Sequence, residues 1–123
     1  MEDKIKIKVE KFIQKLKEIF GKRLKSCILY GSAVKGKYRE GISDINMIVI
    51  VDNLSAEDLE KIKKDLSKYA YKNLIKVFYF SEWFLLSSSD VFPVEWSDIK
   101  ENHIILYGED LTEKNNVEEE NMR

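Results

Sequence analysis

The chain has 123 residues, 44% of them hydrophobic and 35% charged, with 21 basic residues against 22 acidic and a formal net charge of -1. That length fits one domain with a real core, and so balanced a charge leaves no footprint for nucleic acid. No apolar run approaches the ~18 residues of a membrane span, the charged N-terminus is unlike a signal peptide, and the single cysteine, Cys27, fits a reducing compartment, so a cytoplasmic setting is expected.

In chain order, Ile5, Val9, Phe12, Ile13, Leu16, Ile19 and Phe20 recur in steps of three and four, which predicts an amphipathic helix over 3–20 with lysines on its solvated face. Gly21 is placed to end it. Residues 25–30 carry the run Cys27-Ile28-Leu29-Tyr30 of a buried strand, and Cys27 is expected to be inert core. Glycine and charge then dominate 31–43, a turn and loop. Residues 44–52, nearly all apolar from Ile45 to Val51, read as a second buried strand. Ser55 with Asp58 three residues later has the spacing of a capping box, with Leu54 and Leu59 placed for a hydrophobic staple and Ile62, Leu66, Tyr69 and Ala70 continuing the buried stripe. Residues 74–80 are rich in β-formers and predict a third strand, after which Ser81 is placed to cap a short helix through Leu86. The pattern breaks at Ser87-Ser88-Ser89-Asp90. His103 to Tyr107 then predicts a last short strand before Gly108, and the polar, acidic residues 112–123 read as a disordered tail behind a domain spanning 1–111. The expected architecture is α/β (α+β), a small mixed sheet with flanking helices.

The chemistry concentrates between the first two strands. Gly31 directly after a strand lets the backbone approach a ligand, and Ser32 can open a short helix whose N–H groups suit a phosphate. Period-two geometry sends Asp44 and Asn46 to one face of the next strand and Ile45 and Met47 to the other. If the two strands run antiparallel, the Gly31-Ser32 end of one lies beside the Asp44 end of its partner. His103, the sole histidine, has no Ser or Cys partner pattern and reads as a helix–strand boundary residue. The aromatic group Phe78, Phe80, Trp83, Phe84, Phe92 and Trp96 is large for so small a core; any part left outside would mark a protein partner or a homodimer contact.

The run Tyr30-Gly31-Ser32-Ala33-Val34-Lys35-Gly36, followed by Ser43-Asp44-Ile45-Asn46-Met47, resembles the minimal nucleotidyltransferases of the DNA polymerase β superfamily. These are small prokaryotic proteins often encoded with a helical HEPN-type partner. The resemblance implies a nucleotidyltransferase-like fold. It also implies Mg²⁺-dependent transfer of a nucleoside monophosphate from a nucleoside triphosphate, with ATP expected, to an acceptor hydroxyl. In that scheme Gly31, Ser32 and Lys35 bind the nucleotide, and Asp44 and Asn46 take the catalytic, metal-holding positions. A third carboxylate would come from a later strand, with Glu82 or Glu95 as the nearest acids. The sequence departs from the pattern twice. Asn46 brings an amide where a second carboxylate belongs, and the third strand, Lys76 to Phe80, has no acid. Losing one anionic ligand costs roughly a hundredfold in rate or more. The alternative is therefore a non-catalytic subunit that binds a nucleotide or a protein partner.

Overall fold

The computed structural model describes residues 3–87 and 96–112. Helix α1 (Asp3–Phe20) buries the stripe set by its sequence, and Gly21 ends it at φ +55°, a conformation glycine adopts without penalty. Strands β1 (Leu24–Tyr30) and β2 (Ile45–Val51) form the centre of the sheet. Helix α2 (Ala56–Lys61) starts at the expected capping box: Asp58 N–H donates to Ser55 Oγ at 3.1 Å, and Ser55 N–H to Asp58 Oδ2 at 3.0 Å. Leu59, expected in a staple, stays 53% exposed.

A π-helical turn, Ile62–Leu66, joins α2 to α3 (Ser67–Lys72). Asp58, Ile62, Leu66 and Ala70 are the buried residues of this stretch, in steps of four throughout. In a 3.6-residue helix such steps would drift steadily off one face; the wider turn holds them in line. Strand β3 (Ile75–Ser81) follows, then α4 (Glu82–Ser87), where Phe84 N–H donates to Ser81 Oγ at 3.1 Å as the sequence predicts. Helix α5 (Trp96–Glu101) and strand β4 (His103–Gly108) complete the described elements.

The sheet is mixed, in the order β3-β2-β1-β4. β1 runs antiparallel to β2 and β4, and β2 runs parallel to β3. One face, with Cys27, Leu29, Ile45, Met47, Val49 and Val51, packs on α1 and on the α2–α3 stretch. The other, with Ile28, Tyr30, Ile48 and Ile50, meets Ile99 of α5 and Leu111. Thr112 is buried, and its N–H donates to Asp110 Oδ1 at 3.1 Å. The expected breaking segment 88–95, with Phe92 and Glu95, and the tail from 113 lie outside the described residues.

Candidate functional site

β1 and β2 pair with Tyr30 opposite Asn46, so the antiparallel condition is met and the Gly31 end of β1 lies beside the Asp44 end of β2. The chain turns at once after Tyr30. Gly31–Ala33 is a single 3-10 turn in which Val34 and Lys35 N–H both donate to the Gly31 carbonyl, at 3.0 and 3.1 Å. Three residues do not build the macrodipole of a true helix, so this turn offers a phosphate little field of its own.

Gly31 has a structural reason to be glycine. Its φ is +83°, and a Cβ there would stand 2.6 Å from the Asn46 side-chain nitrogen. The open space at Gly31 is therefore filled by the Asn46 amide. Asn46 is half-buried in consequence, while Asp44, one residue before β2, is exposed. The loop that delivers Asp44 closes on itself through Ser43 N–H to the Arg39 carbonyl at 2.9 Å and Arg39 N–H to Ser43 Oγ at 3.0 Å. An ion pair from Glu40 to Lys8 of α1, 2.9 Å, ties it to the body. On the other flank Ile45 N–H donates to the Leu74 carbonyl at 2.7 Å, and Leu74 adopts φ 54°, a left-handed conformation that is costly for a non-glycine residue.

Lys35 is engaged. Its ammonium lies 2.8 Å from Asp98 Oδ2 on α5, and that hydrogen bond holds the Asp98 carboxyl below its ordinary range. Both side chains are partly exposed, and such pairs exchange easily for a stronger anion.

The two later acids are placed differently. Because β3 runs parallel to β2, Ser81 pairs with Val51, and Glu82 emerges at the opposite end of the sheet from Asp44. Six residue steps of strand separate the two ends, about 20 Å, so Glu82 is not a ligand in this site. The β3 residue that reaches the Asn46 end is Lys76, paired directly with it. The sequence shows that β3 lacks an acid; only its direction reveals that a cation takes the place beside Asn46. Alternation in Ile75-Lys76-Val77 was the available signal.

These pairings define one row across all four strands: Lys76 on β3, Asn46 on β2, Tyr30 on β1 and His103 on β4. Burial pushes the Tyr30 phenol up to about 12, so it stays protonated. His103 begins β4 directly after α5, as a boundary residue should. Its Nδ1 lies 2.6 Å from the Ile99 carbonyl and its Nε2 2.8 Å from Asp110 Oδ2. Burial works against ionisation of Asp110, but hydrogen bonds from Thr112 and His103 outweigh it and hold the carboxyl below its ordinary value.

A Mg²⁺ ion asks for several oxygen ligands, usually with carboxylates among them. Among the described residues no group of three or more acids, histidines or cysteines could hold a metal. Among the described residues, Asp44 is the one carboxylate at the heads of β2 and β3, beside one amide and one ammonium. At strand spacing that ammonium opposes a divalent ion by roughly 2 kcal/mol even at the dielectric of water. The described donor set does not fit the two-ion clamp implied by the resemblance.

A four-stranded mixed sheet, with a Gly-Ser turn after β1 facing an Asp-x-Asn segment at the head of β2, defines a nucleotidyltransferase-type α/β domain. Residues 9–106 match the nucleotidyltransferase domain family, and the chain belongs to it. A comparison with curated protein sequences finds no significant match. Among solved structures, the chain resembles one from a mutant of the toxin–antitoxin MntA–HpeT. The match has 20% identity and a TM-score of 0.58, and covers 92% of this chain and 84% of that one. It also resembles spectinomycin adenyltransferase AAD(9) from Enterococcus faecialis, solved with ATP and spectinomycin. Here identity is 15% and the TM-score 0.59, over 85% of this chain and 58% of that one. A third match is to a tri-AMPylated Shewanella oneidensis HEPN toxin in complex with MNT antitoxin, at 15% identity and TM-score 0.54, covering 95% and 87%. At these identities the likeness establishes the fold.

Proposed function

We propose that this chain binds a nucleoside triphosphate, ATP in the first instance, at the Gly31, Ser32, Asp44 and Asn46 end of its sheet. It acts there as the non-catalytic subunit of a cytoplasmic two-component complex with a helical HEPN-type protein. The observation that carries this reading is that, among the described residues at the heads of β2 and β3, Asp44 is the one carboxylate, standing with the Asn46 amide and Lys76 where transfer chemistry in the family uses three acids. Toxin–antitoxin complexes among the structural relatives support the partner, and a relative solved with ATP supports the nucleotide. Trp83, 72% exposed and next in the chain to Phe84, whose ring stacks on Phe80, supports a protein contact on the β3–α4 side, with a homodimer as the simpler alternative.

Family membership favours a second reading, in which Asp44 and Glu95 hold Mg²⁺ and the chain transfers a nucleoside monophosphate. The two separate in one assay. The purified chain, alone and with the product of its neighbouring reading frame, is incubated with labelled ATP and Mg²⁺. No transferred label, with ATP binding retained, is the expected result; label on the partner from the natural chain overturns the non-catalytic reading. Label appearing only with Asn46→Asp identifies a degenerate enzyme.

A further inference from the structure

The row at the head of the sheet suits a different ligand state from the one the family implies. We propose that this site takes the polyphosphate of a nucleotide without a divalent ion, with the Lys76 ammonium standing where a metal would neutralise the phosphates. The inference rests on the nucleotide-binding reading above and concerns the form in which the nucleotide is held.

The Lys76, Asn46, Tyr30 and His103 positions share one row, and none is an acid. Ammonium, amide, phenol and imidazole are all able to donate hydrogen bonds, which is the requirement of an anion rather than a cation. His103 is already occupied by the Ile99 carbonyl and Asp110, and the Tyr30 side chain is buried in the core. The two members left to a ligand are Lys76, exposed, and Asn46, half-buried against Gly31. Lys76 lies over the Phe78 ring, 5.8 Å from its centroid, a weak contact at an exposed position that a phosphate would displace. Lys35 reaches the same end from the turn after β1. Its Asp98 partner is on another element and part-exposed, so a phosphate can replace that carboxylate like for like. Two ammonium groups then face a polyphosphate, and Asp44 is left to meet the sugar or an approaching partner.

The test is calorimetric titration of the full chain with ATP in EDTA and again in excess Mg²⁺. Affinity in EDTA within about threefold of the Mg²⁺ value is expected, with inorganic tripolyphosphate competing. Lys76→Glu should weaken binding in EDTA by about tenfold or more, while Lys76→Arg retains it. Position 76 is exposed on an edge strand, and circular dichroism confirms that each variant is folded. As an independent readout, the double variant Asn46→Asp, Lys76→Glu should acquire Mn²⁺ binding, detected by electron paramagnetic resonance without nucleotide, that the natural chain lacks. ATP binding that requires Mg²⁺, or binding indifferent to Lys76→Glu, overturns the inference and leaves the nucleotide reading intact. No ATP binding in either buffer overturns both.

Discussion

At Gly31 a missing side chain and a present one fit each other: the glycine leaves the volume that the Asn46 amide takes up. Gly31→Ala meets two penalties, a methyl group at φ +83° and displacement of that amide. The backbone part alone is worth about 1–2 kcal/mol, and denaturant titration should show a loss of at least this size. The steric part belongs to the pair. In a double-mutant cycle, Asn46→Ala should recover it and leave the backbone part in place, a coupling of roughly 0.5 kcal/mol or more. Additive losses would show that the amide yields freely. The glycine was legible in the sequence as a point of close approach. What approaches it was not, because the spacing of Gly31 and Asn46 along the chain says nothing of their contact across β1 and β2.

Among the elements, the start of α2 gathers a capping box and a bidentate ion pair on one buried carboxylate. Asp58 is 4% exposed, completes the capping box and receives two hydrogen bonds from the Arg23 guanidinium, at 2.6 and 3.0 Å. The Arg23 hydrogen bonds hold the Asp58 carboxyl well below the usual carboxylate range, against the opposing effect of burial. A carboxyl lowered in the folded state stabilises fully above its unfolded value, about pH 4, and that stabilisation is lost as pH falls toward the folded value. Asp58→Ala should therefore cost about 2 kcal/mol at neutral pH, with a flatter decline in stability below pH 4 than the natural chain shows. Urea melts across that range measure both; equal acid slopes would place the acid sensitivity elsewhere. The Ser55–Asp58 box was readable from spacing alone because both partners are local. Arg23 was not, since it lies 35 residues away and nothing in the sequence pairs it with Asp58. The Ile62–Leu66 π turn was likewise hidden: steps of four mark a buried stripe but not the widened turn that keeps it straight.

At the scale of the whole molecule, the sheet centre is sealed on both sides. Cys27 is 0% exposed, and burial pushes its thiol up to about 12. In the folded chain it presents neither access nor thiolate to a reagent. Labelling with a thiol reagent at pH 8 should proceed only through global unfolding, so its rate should rise with urea in step with the loss of stability. Prompt labelling in buffer would reveal a local opening of β1. Alternation and apolar runs showed the central strands and the first helix, because each of these is written in a local period. The partners that change the meaning of the site, Asp98 for Lys35 and Lys76 for Asn46, come from elements joined only by the fold.

The parallel run of β3 beside β2 also has an evolutionary reading. It brings the head of β3 to the row, so the cation there is a matter of one side chain and no backbone. Asparagine and aspartate codons differ by one base, as do lysine and glutamate codons, and both changes are A to G at the first position. Two point mutations on an unchanged scaffold separate the present row from one with two adjoining carboxylates beside Asp44. The charge of the row can therefore change sign in either direction without refolding.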